Sequence, residues 1–88
     1  MVMIMNNKIL VRIYITNLSK EYEVLIPVNE RVGRIVEKLK KTIYEISDQT
    51  FDINKNYNLI DADTGNIYEY NSIIRDTNMK HAKKLIFI

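Results

Sequence analysis

Residues 24–46, Val-Leu-Ile-Pro-Val-Asn-Glu-Arg-Val-Gly-Arg-Ile-Val-Glu-Lys-Leu-Lys-Lys-Thr-Ile-Tyr-Glu-Ile, decide the fold, because the apolar period changes inside them. Up to Val28 alternate residues are apolar: Tyr22, Val24, Ile26 and Val28 share one face of an extended chain, the pattern of a half-buried strand. Beyond Pro27 the period lengthens. Val32, Ile35, Val36, Leu39, Ile43 and Ile46 fall within an arc of roughly 100° on a helix. Arg34, Lys38, Lys41 and Glu45 lie on the opposite side. This predicts a helix over 31–45. Pro27 sits at the strand's end, where a missing N–H costs little. Asn29 is the nearest capping side chain, and Glu30 with Arg34 and Glu37 with Lys41 are spaced to pair. Gly33 in the first turn weakens the helix by up to ~1 kcal/mol relative to Ala.

Working towards the N-terminus, Lys8 to Thr16 also alternates. Ile9, Val11, Ile13 and Ile15 fall on one face; Leu10, Arg12, Tyr14 and Thr16 fall on the other. Asn17-Leu18-Ser19-Lys20 reads as a turn, so the two alternating runs form a hairpin. Working towards the C-terminus, Ser47 to Asn56 reads as a loop pinned by Phe51 and Ile53, and Tyr57 to Asp61 as a short strand. Asp61 to Asn66 carries turn residues with Gly65 suited to a positive φ. Ile67 to Tyr70 reads as a short return strand, 71–82 as irregular with Ile73, Ile74 and Met79 as anchors, and Lys84 to Ile88 as a last strand. The order is ββαβββ. One amphipathic helix must cover the apolar face of the sheet, which makes a two-layer α+β domain. Residues 1–7 read as a short N-terminal extension and 8–88 as a single domain.

At 88 residues, folding buries roughly 64% of the unfolded surface, enough for one modest core. The chain contains no cysteine; a small secreted domain commonly depends on disulfides, so a reducing, cytoplasmic setting is expected. Met1 to Met5 is apolar but too short for a signal peptide, and no stretch approaches the length of a membrane span. The net charge of +2 calls for no particular partner.

The order of elements resembles the ubiquitin superfold. Within it, the chain looks most like the small ubiquitin-like proteins of Gram-positive type VII (WXG100/Esx) secretion systems, the YukD/EsaB type. Three stretches carry the likeness: Val24-Leu25-Ile26-Pro27-Val28 followed by Val32…Ile35-Val36…Leu39; Ile46-Ser47…Phe51-Asp52-Ile53-Asn54; and Ile73-Ile74-Arg75-Asp76-Thr77-Asn78-Met79-Lys80…Lys84-Leu85-Ile86-Phe87-Ile88. Family members usually carry glycine where Asn78 and Ala82 stand. The resemblance implies a ubiquitin-like β-grasp sheet with a helix across one face. It also implies an accessory or regulatory role in secretion, with the cytosolic domains of the secretion machinery as partners.

The residues themselves offer no catalytic constellation. His81 is the only histidine; it falls in a turn, and a metal site needs several converging ligands. Asp61, Asp63 and Asn66 lack the length and glutamate of a calcium loop and read as turn formers. Ser47 and Ser72 have no histidine partner. Neither a cofactor nor a metal is expected, nor an enzymatic activity. A modifier or sulfur-carrier role would call for a C-terminal Gly-Gly, where this chain has Lys-Lys-Leu-Ile-Phe-Ile. A nucleic-acid-binding role would call for more positive charge and more aromatics on the sheet.

A binding surface is the remaining expectation. If Val11, Ile13, Ile26, Leu59, Leu85 and Phe87 face the helix, alternation turns Leu10, Arg12, Tyr14, Ile60, Ile86 and Ile88 outward. In ubiquitin-like folds the first, last and third strands are neighbours, so these six residues are expected to form one patch for a partner protein or a second copy. Ubiquitin's own recognition patch lies in a similar place. Arg34, Lys38 and Lys41 form a secondary basic face on the helix; a solvated helix surface is the ordinary account of such a stripe.

Overall fold

The computed structural model describes residues 7–88; of the 1–7 extension, all but Asn7 lies outside the described residues. The hairpin is β1 (Lys8–Ile15) and β2 (Lys20–Pro27), paired in one register from Lys8↔Pro27 to Ile15↔Lys20. Its turn closes through Leu18 N–H on the Ile15 carbonyl (3.1 Å) and Ser19 N–H on the Thr16 carbonyl (3.2 Å). A helix α1 (Val32–Ile46) follows, then β3 (Leu59–Asp61), a single 3-10 turn (Ile74–Asp76) and β4 (Lys84–Phe87). The sheet order is β2-β1-β4-β3. β4 runs parallel to β1 and antiparallel to β3; a parallel neighbour needs a long crossover, which α1 and the segment after it supply.

Alternation places Val11, Ile13, Ile15, Ile26, Leu59, Leu85 and Phe87 in the core beneath Val32, Ile35, Val36, Leu39 and Ile43. Phe51 and Tyr57 stack at 4.7 Å between centroids, and Tyr57 stacks on Phe87 at 5.0 Å. This aromatic column ties the loop after α1 to the sheet. No helix among the described residues is long and apolar enough to cross a membrane.

Several local expectations change. The return strand over 67–70 does not form a ladder. It contributes one isolated bridge, Ile60↔Ile67, so the sheet has four strands and the fifth run is an edge segment. Asn29 does not cap α1. The helix's first N–H groups go to distant backbone instead, Val32 to the Ser72 carbonyl (2.8 Å) and Gly33 to the Tyr70 carbonyl (2.9 Å). That close approach also explains the glycine, since a Cβ at 33 would sit 3.3 Å from Tyr70 Cβ and its carbonyl oxygen. Asn29 Oδ1 instead accepts from Arg75 Nη1 at 2.5 Å. Lys38 pairs with Glu30 and Lys40 with Glu37, each at 3.5 Å, in place of the pairs expected for Arg34 and Lys41. Ile46 ends the helix 51% exposed, beyond the cover of the sheet.

Candidate protein-interaction surface

Strand alternation and register set the outer face of the sheet in rows. The central row crosses all four strands: Glu21 opposite Tyr14, Tyr14 opposite Ile86, Ile86 opposite Ile60. The Ile60↔Ile67 bridge extends it by one residue. Ile88 lies one row along, its N–H and C=O exchanged with Asn58 (3.1 and 2.7 Å). Tyr14, Ile67 and Ile88 are exposed, while Ile60 and Ile86 are half-buried between their neighbours. The result is a continuous aliphatic strip with one tyrosine at its border.

On the other side of that strip runs a charged row. Arg12 lies opposite both Glu23 and Lys84 in register, with its Nε 3.7 Å from a Glu23 carboxylate oxygen. Leu10 lies beyond this row, opposite Leu25. The six expected residues therefore share one face, but Leu10 stands apart from the strip formed by Tyr14, Ile60, Ile86 and Ile88. Arg12 is the polar border between the two. Ile67, 58% exposed, and Leu25, 62% exposed, belong to the same face and were not among the expected residues. Leu25 was legible as the outward member of an alternating run. Ile67 joins only because its bridge to Ile60 brings it in.

One edge of the face is anchored by a buried ion pair. Asp61 is 1% exposed. Its Oδ1 lies 3.0 Å from Lys83 Nζ and accepts from the Asp63 N–H at 2.9 Å, while its Oδ2 accepts from Asn78 Nδ2 at 2.9 Å. Asn78 Oδ1 in turn accepts from the Tyr68 hydroxyl at 2.6 Å. The Lys83 hydrogen bond, helped by the Asn78 and Asp63 donors, holds the Asp61 carboxyl well below the usual carboxylate range. Its partner lysine is raised by Asp61 and Asp63. Burial, with the Asp61 carboxylate nearby, pushes the Tyr68 hydroxyl up to about 12. The acidic turn is thus satisfied internally. Lys83 also reaches Asp63 at 3.1 Å.

His81 is exposed and its Nδ1 accepts from the Leu10 N–H at 3.2 Å, a role in joining the turn before β4 to β1. Ala82 beside it adopts φ 70°, the left-handed region where glycine was expected by resemblance. Asn78 has no positive φ; its side chain serves the Asp61 network instead. On α1, Arg34, Lys38 and Lys41 all point to solvent, and Lys38 is partly engaged by Glu30.

This strand order, with one helix across the inner face of a four-stranded mixed sheet, is the ubiquitin-like β-grasp fold. No protein-family model matches the chain, and no curated protein matches it significantly. A designed protein based on ubiquitin superposes with a TM-score of 0.66 at 17% identity, over 93% of this chain and 88% of that one. Two ubiquitin-like domains of type VII secretion proteins superpose at least as well. The EccD5 domain from Mycobacterium xenopi gives a TM-score of 0.75 at 11% identity, over 94% of each chain. The EccD1 domain of Mycobacterium tuberculosis gives 0.70 at 10% identity, over 92% of this chain and 97% of that one. At such identities the likeness establishes the fold, and the fold alone hosts many functions.

Proposed function

We propose that the chain is a non-catalytic, cytoplasmic ubiquitin-like binding module, an accessory or regulatory component of a type VII secretion system of the YukD/EsaB type. It docks a protein partner, a cytosolic domain of the secretion machinery, on the outer face of its sheet. The observation that carries the reading is the strip of Tyr14, Ile60, Ile67, Ile86 and Ile88, set across adjacent strands with nothing over it among the described residues. Grouped exposed aliphatics on a small domain mark interaction sites, and an arginine and a tyrosine at the border suit a binding hot spot. The sequence resemblance and the similarity in fold to the EccD domains support the pathway.

The test replaces Ile60 and Ile86 by lysine together. Both sit on the outer side of the sheet, so the circular dichroism of the variant is expected to match the parent. Co-purification with the secretion machinery, and export of WXG100 substrates, are expected to be lost. Retained export from a folded variant would remove the outer face from the account.

A further inference from the structure

The two edges of the sheet are finished differently. Beyond β3 the chain covers its own edge: Tyr68 N–H donates to the Leu59 carbonyl and Asp61 N–H to the Asn66 carbonyl, both at 2.9 Å. Beyond β2 there is no such cover among the described residues. The β1–β2 ladder continues with Val28 N–H on the Asn7 carbonyl (2.7 Å), so the even residues of β2 bond to β1. Antiparallel pairing alternates the bonding direction. Glu21, Glu23 and Leu25 therefore turn their N–H and C=O groups away from the sheet. Pro27 closes this open run, having no N–H to leave unpaired.

Beside the open edge, β2 and α1 stand apart. Two hollows of about 380 and 230 Å³ lie end to end between them and share Val24, Leu25, Leu39 and Thr42 in their walls. Ile46 lines the first, and Ile35 and Lys38 line the second. Ile46, exposed at the end of α1, turns its apolar surface here, and Leu25 borders the hollows at the β2 edge while its side chain stays on the outer face. Helical spacing of 100° per residue puts Arg34 and Lys41 just outside Lys38 on the same side of α1, with Glu45 on that side and the Glu30 carboxylate 3.5 Å from Lys38 Nζ. Arg34 and Lys41 make no ion pair among the described residues.

We propose that this edge and cleft form a second binding site, which takes up an extended peptide of a partner protein as an additional strand on β2. Strand addition supplies affinity through main-chain hydrogen bonds and selectivity through pockets for alternate side chains. Successive same-side residues of a strand are about 7 Å apart, which suits two hollows in a line. The peptide therefore carries aliphatic residues at alternate positions. An acidic flank overlies the end nearest Lys38 and Arg34, where cations outnumber carboxylates. An acidic flank on a peptide meets Arg34, which makes no ion pair among the described residues, and competes with Glu30 for Lys38; the glutamates on β2 disfavour a second β2 edge, where like charges would face one another.

The test titrates the ¹⁵N-labelled full chain with the capped octapeptide Ile-Thr-Val-Thr-Ile-Asp-Glu-Asp and with its reversed sequence, because the strand direction sets which end meets Lys38. Saturable amide shifts are expected over Glu21–Ile26 and at Leu39, Thr42 and Ile46. Lys38→Glu is expected to weaken binding about three- to fivefold, the scale of an exposed ion pair. Thr42→Arg, at an exposed position, fills the cleft and is expected to abolish binding, as is N-methylation of the peptide amides that face β2. The folded Ile60→Lys with Ile86→Lys variant retains binding, so this site and the outer face succeed or fail separately. The proposal is overturned by no saturable shift with either peptide, by equal binding of the N-methylated peptide, or by shifts that move to Tyr14 and Ile86. Shifts along β2 that follow protein concentration without peptide would also overturn it, by showing a second copy on the edge.

Discussion

In residues 8–46 regular backbone pairing dominates: one hairpin ladder and one helix hold most of it, β4 completes β1, and side chains add mainly apolar contact. In residues 47–83 side chains do that work. Ser47 Oγ accepts from Phe51 N–H at 3.2 Å, the Tyr57 hydroxyl donates to the Asp52 carbonyl at 2.7 Å, and the Tyr70 hydroxyl donates to the Tyr57 carbonyl. Thr77 Oγ1 donates to the Ile74 carbonyl at 2.7 Å and accepts from Met79 N–H at 3.1 Å. The aromatic column ties the second region to β4, and the two regions meet at the N-terminus of α1. Periodic burial thus builds the first region, and a chain of specific polar bonds shapes the second around a few apolar pins.

The difference can be broken most forcefully at a pin. Phe51 is 4% exposed and stacks on Tyr57. Phe51→Ala is expected to cost about 3–5 kcal/mol in a urea melt, a large share of what a domain of this size has. A loss below about 1 kcal/mol would mean that 47–83 is only loosely attached to the core. Leu39, 7% exposed in mid-helix, tests the periodic region. Leu39→Ala is expected to cost about 2–4 kcal/mol, below the pin because one side of Leu39 borders the β2–α1 cleft.

The Asp61 network tests the polar region by pH. Its carboxyl is held below the usual range in the folded chain, so its stabilisation is full above the unfolded value of about 3.9 and fades as pH falls below it. The parent's urea midpoint is expected to drop between pH 6 and pH 3 more steeply than that of Asp61→Asn. Parallel curves would show that Asp61 contributes little. Tyr68→Phe removes the hydroxyl bonded to Asn78 and is expected to cost about 1 kcal/mol, with faster amide exchange confined to the Asp61–Tyr68 edge. Smallest is a gain. Ala82 holds a left-handed φ of 70°, and Ala82→Gly is expected to stabilise by about 0.5–1 kcal/mol. A loss there would point to an unrecognised contact of the Ala82 methyl.

The same contrast governs what could be read from residue order. The hairpin, α1 and the helix-facing residues were legible because burial repeats at a period of two or of 3.6. The helix start was not, because its N–H acceptors come from Tyr70 and Ser72, and nothing near Asn29 encodes that contact. Ile46 fits the helical arc yet stays exposed because no strand covers the end of α1. The 67–70 run has strand-like residues but pairs only at Ile67, since the chain then leaves the sheet, with the Tyr70 carbonyl accepting from Gly33 N–H and Ser72 N–H closing on the Glu69 carbonyl. For the outer face, alternation correctly placed Leu10, Arg12, Tyr14, Ile60, Ile86 and Ile88 together. Register alone revealed that the Arg12–Glu23 and Lys84 row separates Leu10 from the rest, and that Ile67 belongs.

Docking of a secretion component on the outer face, as proposed, is open to direct test. The most direct measurement titrates the ¹⁵N-labelled chain with a purified cytosolic domain of the membrane-anchored secretion machinery. The account predicts saturable shifts at Tyr14, Ile60, Ile67, Ile86 and Ile88, with Arg34 and Lys41 little changed. Shifts centred on Arg34, Lys38 and Lys41 with the sheet face silent, or no shifts at saturating partner, would contradict it.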